Sequence, residues 1–418
     1  MAASRMRVDL AAFLLLGLLA AAICLINHAM IDPQVYRSFN IYFQADPPRV
    51  ISNMTEAWSP MQNRTVAHPL FSILTLSAVK ALGLLGLEPM AAIRLLLALC
   101  AAASAGGFFA AMRLLGLGTA VAGGFTLALM ASAGFLHWYP FVETYAFSAT
   151  SISLMLIFTC SMRRLPLAGW AAASAGTLAM LITNWGLGLA SAFFRLSFRH
   201  FLIVSAAAFL IVSAGSVIQM QKLHRARYFL DPRSMAKEKT YSGPALLAHG
   251  MPWSPWVSAR NGLLLPGVAT RPVREDAPTE KGPFTLINNQ FTPLATLGLV
   301  GGVAVLAWIG LLAGGIGAMA VDRERRSIGY ALLMFLGFQI AFHSWYGEIT
   351  FLYAADLAPV ALALAALGWF APWRKAVAAA LALFIVTGAV NNEGRFRDAA
   401  RLSNRIAIDK LHGRAVGK

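Results

Sequence analysis

Residues 42–74 read YFQADPPRVISNMTEAWSPMQNRTVAHPLFSIL, and they bring acid, guanidinium and imidazole together as Asp46, Arg49, Arg64 and His68. Asp46 is followed by two prolines that stiffen the backbone. A carboxylate so held has the chemistry of a general base toward a hydroxyl. An isolated acid in a polar loop is more often just solvated. Arg49, Arg64 and His68 change that balance, because with Asp46 they compose an anion pocket that contains a base. His68-Pro69 reads two ways. Proline suits the first position of a helix, so the pair can simply start one. The imidazole can equally be held near a reacting phosphate. Arg94 is likewise open, as a topology anchor or as a partner of lipid phosphate.

A second cluster is HWYPFVETYAF at 137–147, with His137, Trp138, Tyr139, Glu143 and Tyr145. Aromatic residues at a membrane interface are ordinary. Glu143 is not, because it starts an apolar run where an unpaired carboxylate is expensive. Asn184 and Trp185 follow at another tip, where Asn can serve to cap a turn. HSWYGEITFLYAADLAP at 343–359 adds Tyr346, Glu348 and Tyr353, with Asp356 about two turns deeper. QKLHRARYFLDPR at 221–233 supplies a basic strip, Lys222, Arg225, Arg227 and Arg233. It suits a lipid-linked phosphate or ordinary anionic headgroups.

The elements that must position these residues are membrane-spanning. The chain has 418 residues, 58% hydrophobic and only 12% charged, about half the charged fraction of a soluble domain. Its apolar residues fall in runs of about 20, the length that crosses a bilayer. They lie near 10–28, 91–111, 119–138, 143–161, 167–194, 200–218, 293–319, 328–345, 349–370 and 375–391. The three cysteines, Cys24, Cys100 and Cys160, all sit inside such runs, so no disulfide framework or metal site follows. The net charge of +16 reads as loop arginines that fix topology and meet anionic lipid, with no nucleic-acid partner. No Walker loop and no dinucleotide-binding glycine pattern is present. The N-terminal run has no small-residue cleavage site and reads as an uncleaved span.

Basic clusters at Arg113, Arg163–Arg164, Arg195–Arg199, Arg323–Arg326 and Arg374–Lys375 fix the orientation. For all of them to lie inside, residues 69–87 must not cross. They read as an interfacial helix, which tolerates Lys80. Leu165–Phe194 carries arginine at both ends and reads as a tight hairpin with its tip near Asn184. The expected fold is an all-α polytopic membrane protein, one integral domain over 1–418 with about eleven spans. Two large external segments, 29–90 and 219–291, would carry the function. The last span ends near 391, and a basic tail follows outside.

In this order the motifs resemble those of the GT-C superfamily of polytopic glycosyltransferases, in particular its protein O-mannosyltransferase-like members. Asp46 in QADPPRV matches the acid of the first external loop. HPLF at 68–71 matches a His-Pro that opens a hydrophobic segment, although the usual second proline is Leu70 here. WYPFVETYA at 138–146, TNW at 183–185 and FLYAADLAP at 351–359 match later tips. The likeness covers residues 1–200 well and 340–360 loosely. It implies a GT-C-like bundle that moves a sugar from polyprenyl phosphate to a glycan, lipid or protein acceptor. Asp46 would be the general base and Glu143 its assistant, with a divalent cation possible. Arg94 and the Lys222–Arg233 strip would meet the donor phosphate. The remaining substrate contacts would come from Arg49, Arg64, His68, His137, Tyr139, Asn184, Tyr346, Glu348 and Tyr353. A bacterial inner membrane with a periplasmic active face fits the composition. A transporter or flippase of a lipid-linked sugar is the alternative, and it would need charges near the bilayer midplane.

Overall fold

The computed structural model describes residues 2–248, 253–277, 284–347 and 349–412. The N-terminal part comprises α1 (Ala2–His28), α2 (Pro47–Thr55), α3 (Phe71–Leu84), α4 (Pro89–Leu114), α5 (Thr119–Ala131) and α6 (Ala133–Trp138). Then come α7 (Tyr145–Thr159), α8 (Leu167–Met180), α9 (Trp185–Arg195) and α10 (Phe198–Lys222). A long connection holds α11 (Pro232–Lys237), α12 (Gly243–Ala248), α13 (Pro255–Leu264) and an antiparallel hairpin of β1 (Val273–Ala277) and β2 (Phe284–Asn288). The chain ends with α14 (Gly298–Val321), α15 (Arg326–His343), α16 (Ala354–Ala366) and α17 (Arg374–Leu411).

Among the described residues six helices are long and apolar enough to cross a membrane: Met6–His28, Pro89–Leu114, Phe198–Lys222, Leu294–Val321, Thr350–Phe370 and Arg374–Leu411. The chain is a helical integral membrane protein. The expected count of about eleven is not met by length and hydropathy, because several segments are short. The 14 residues of α8 and the 11 of α9 reach only about 21 and 17 Å at 1.5 Å per residue. The β hairpin between α13 and α14 is a further departure from a purely helical expectation.

Side-chain contacts fix the directions of the helices. Arg94 donates to Nε2 of His28 at 2.9 Å, and Arg113 pairs with Asp9 at 2.8 Å. The start of α4 therefore lies beside the end of α1, and the two run antiparallel. The intervening α3 is a 14-residue apolar helix, shorter than a full span. It exposes Leu74 and Leu84. The α8–α9 pair also turns back as the arginines implied. Arg195 Nη2 donates to the Ser161 carbonyl near the start of α8, and the bend falls at Ile182–Asn184.

The last helix differs most from expectation. It continues for 38 residues, to Leu411, about 57 Å and well beyond a bilayer core of about 30 Å. Beyond the apolar run it is held by polar contacts. Asn392 Nδ2 donates to the carbonyls of Ala131 and Gly267, and its Oδ1 accepts from Ala269 N–H. Farther along, Asn404 accepts from Asp32 N–H at 2.8 Å and donates to the Met30 carbonyl. The tail thus packs on the same face as the first loop. Close helix approach inside the bundle depends on small residues: a Cβ on Gly315 would stand 2.2 Å from the Leu364 carbonyl oxygen.

Candidate functional site

Asp46 caps the N-terminus of α2, yet its carboxylate accepts no capping bond. An N-cap acid normally accepts from the amide of the second or third helical residue. Pro48 at the second position has no N–H, and the carboxylate meets the Arg49 side chain rather than its amide. The ADPPR sequence starts a helix while leaving the acid available. The approach to it is strained: Asn40, Phe43 and Gln44 all have positive φ, at 66, 47 and 61°. Each such residue costs on the order of 1–3 kcal/mol and persists only where its surroundings enforce it. Tyr42 and Phe43 do so, packing on His137, Trp138, Phe141 and Phe351.

Glu143 takes over the missing cap. Its Oε1 accepts from Asp46 N–H at 3.0 Å and from Arg49 Nη2 at 3.4 Å, while Oε2 accepts from Thr144 N–H. Arg49 also reaches the Asp46 carboxylate, Nε to Oδ2, at 3.4 Å. Glu143 is 3% exposed and Asp46 28%. The buried acid orients and the accessible acid faces the cavity. A divalent ion between the two does not fit this donor set, since the Arg49 guanidinium already lies between them. No group of three His, Cys, Asp or Glu side chains converges among the described residues.

These residues line a polar cavity of about 330 Å3, with Asn40, Gln44, Arg64, His68, Tyr145, Tyr241, Tyr346 and Tyr353 around the rest of its wall. A second chamber of about 240 Å3 adjoins it and shares Arg64, His68, Tyr145, Tyr346 and Tyr353. Its other walls are mainly apolar, with Val66, Leu181, Ile182, Met235 and Phe342.

Arg64 stands between the two. Nη2 meets Glu238 at 3.4 Å, the guanidinium lies 5.1 Å from the centre of the Tyr241 ring, and Nε is buried without a hydrogen bond. Burial works to lower its pKa, but Glu238 and the surrounding tyrosines outweigh it and raise the pKa, so the cation persists. The Tyr346 hydroxyl donates to Glu238, and burial pushes it well above the usual phenol range. Gly347 follows with φ of 98°, and a Cβ there would stand 3.0 Å from the Tyr353 hydroxyl. The turn at the cavity wall therefore requires glycine.

His68 owes its place to the short α8. The C-terminal carbonyls of that helix need donors. Leu70 N–H donates to Ala179 at 2.8 Å, and His68 Nδ1 donates to Met180 at 2.8 Å. In return Ile182 N–H donates to the Ala67 carbonyl. Irregular backbone at the hairpin tip is thereby satisfied by protein. Burial, then Arg49, then Arg64 lower the His68 pKa to about 3, against the weaker pull of its bond to Met180. The ring is neutral at pH 7, with Nε2 as a lone-pair acceptor. It is not a cation for phosphate.

Asp46, Glu143, Arg49, Arg64, His68, Tyr346 and Tyr353 are thus brought together. The other expected site residues are not. Arg94 is tied to His28 in the α1–α4 contact. His137 accepts or donates to Tyr42 at 3.0 Å inside the aromatic cluster, and Tyr139 donates to Ser104 at 2.6 Å. Both are packing residues. Asn184 accepts from Gln339 at 3.0 Å and is fully buried. Lys222, Arg225 and Arg227 are exposed and line neither chamber. Glu348 lies outside the described residues. Asp356 accepts from Ser148 at 2.6 Å, lines neither chamber, and sits in the first turn of α16, where the helix dipole favours an acid. Glu238, Tyr241 and the strained Asn40 and Gln44 were not expected. Positive φ has no reliable sequence signal at non-glycine residues, and Glu238 belongs to a segment far away in the chain. No protein-family model, no curated protein and no solved structure matches this chain.

Proposed function

We propose that the protein is a glycosyltransferase of GT-C type that moves a sugar from a polyprenyl-phosphate donor to an extracytoplasmic acceptor hydroxyl. One observation carries this reading: an accessible carboxylate, freed from its helix cap, shares a polar cavity with Arg64, and that cavity adjoins an apolar chamber. A substrate with an ionic centre, a polar end and a hydrocarbon end suits such a pair. Asp46 accepts the proton of the acceptor hydroxyl as its oxygen bonds to the anomeric carbon. The bond from that carbon to the phosphate oxygen breaks with its electron pair, and the configuration inverts. Arg64 holds the phosphate as it gains charge. Glu143 and Arg49 position Asp46. The neutral His68 accepts a hydrogen bond from a sugar or acceptor hydroxyl.

The same reading takes the chain through the bilayer about eleven times, with α5–α6, α7, α8, α9 and α15 as short or broken passes. The alternation of helix ends supports it: α8 begins near Ser161 and ends at His68, and α9 returns to Ser161. A bacterial inner membrane with the cavity on the periplasmic face completes the proposal. The test offers a panel of polyprenyl-phosphate sugars to the purified protein in nanodiscs, with envelope extract as acceptor. Free polyprenyl phosphate is followed by mass spectrometry. Release by wild type and not by Asp46→Asn supports the reading. No release from any donor points to transport of a lipid-linked sugar instead.

A further inference from the structure

On the face opposite the polar cavity, the loops joining α7 to α8 and α9 to α10 enclose a separate cavity of about 510 Å3. Arg163, Arg164, Arg195 and His200 line it, and among the described residues no carboxylate does. We infer that this cavity is a binding site for a phosphate group, independent of the proposed transfer reaction.

Arginines are expected at this end of the helices for reasons of topology, and that rule explains their sign but not their arrangement. Two arginines of the same face, Arg113 and Arg325, are neutralised by carboxylates. Arg113 pairs with Asp9 at 2.8 Å, and Arg325 pairs with Asp322 at 3.0 Å. Arg163, Arg164 and Arg195 have no acidic partner among the described residues, and they converge on one concavity.

The loop is also fixed in place. Ser161 Oγ accepts from Arg163 N–H at 3.1 Å and donates to its carbonyl. Arg195 Nη1 donates to Ser327 Oγ at 2.9 Å and Nη2 to the Ser161 carbonyl, which leaves its Nε buried without a hydrogen bond. The long helix α10 opens at Phe198 beside the cavity and α8 opens at Leu167. Their free amides add positive partial charge where an anion would sit. Ser197 caps only the third residue of α10, accepting from His200 N–H at 3.4 Å.

Forked guanidinium donors with helix N-termini recognise phosphate oxygens. Two sources share that chemistry. The apolar wall of Leu165, Leu167 and Trp170 suits the headgroup of an anionic lipid, as basic pockets between membrane helices do. The polar mouth would also admit a free phosphate or pyrophosphate.

The experiment uses the full chain, stripped of lipid in neutral detergent. Native mass spectrometry reads binding of short-chain phosphatidylglycerol and of pyrophosphate, with phosphatidylcholine as the uncharged control. We expect selective binding of an anion, weakened about tenfold or more by Arg163→Gln with Arg164→Gln, since tenfold corresponds to one charge-assisted hydrogen bond of about 1.4 kcal/mol. Lipid retained against millimolar pyrophosphate identifies a headgroup site, and displacement identifies a soluble ligand. Because the double variant also removes topology charges, wild type is tested in parallel with phenylglyoxal. The bound anion should protect Arg163 and Arg164 from modification. Absence of anion binding, binding equal in variant and wild type, or binding without protection would overturn the inference.

Discussion

At Asp46 the decisive fact is a carboxylate that makes no helix cap. Pro48 removes one of the two amides such a cap would use, and the carboxylate instead meets the Arg49 side chain and faces the cavity. In the proposed transfer reaction, Asp46→Asn keeps the shape and removes the base. Turnover should fall by roughly 10²–10⁴-fold, the usual worth of general-base catalysis, while donor binding and thermal stability stay near wild type. Glu143→Gln should behave differently. It weakens the bonds to Asp46 N–H and Arg49 inside a buried site, so both stability in a thermal melt and turnover should drop. His68 gives a pH prediction. Its folded pKa of about 3 lies below the unfolded value of about 6.5. Its neutral form therefore contributes full stability above about pH 6.5, and that contribution is lost as pH falls toward 3. A melt series across this range should show the loss in wild type and less of it in His68→Gln.

At the scale of elements, the cavity is closed by a segment distant in sequence. The short turn from Glu238 to Tyr241 after α11 meets Arg64 through Glu238 and Tyr241, and Tyr346 locks Glu238 from the α15–α16 turn. A backbone bridge from Ser242 to Tyr346 adds to this cover. Tyr346→Phe removes one charged-acceptor bond, worth about 1.5–3 kcal/mol. Hydrogen exchange in residues 232–248 should rise in that variant while exchange in α4 and α7 is unchanged. Arg64→Ala should weaken donor binding by about tenfold or more, with a smaller effect on acceptor affinity. Equal loss for both substrates would place Arg64 in structure and not at the phosphate.

For the whole molecule, the strongest constraint is that α17 is far longer than a bilayer is thick. Its upper half rests on the first loop through Asn404, Met30 and Asp32. Cysteines placed at Trp58 and Arg405 should therefore react with an impermeant thiol reagent from one side of the membrane, and a cysteine at Arg164 from the other. The native cysteines are buried or partly buried and give a low background. Reaction of the Trp58 and Arg405 positions from opposite sides would refute this arrangement of the two ends.

The sequence alone determined that this is a helical membrane protein, because long apolar runs have no other stable place. Charge spacing further implied that 69–87 turns back and that Leu165–Phe194 is a hairpin, since arginine at both ends of a run fixes parity. Local chemistry marked Asp46, Arg49, Arg64 and His68 within one loop. Only the tertiary structure decided which distant groups join them. It put Glu143 under Asp46, Glu238 and Tyr346 on Arg64, and the α8 carbonyls against His68. It also withdrew Arg94, His137 and Tyr139, whose polar atoms satisfy buried neighbours. The reason is physical. Hydropathy and charge act residue by residue along the chain. A site depends on which side chains share a cavity after packing, and in sequence a buried polar group reads the same whether it meets a substrate or a carbonyl.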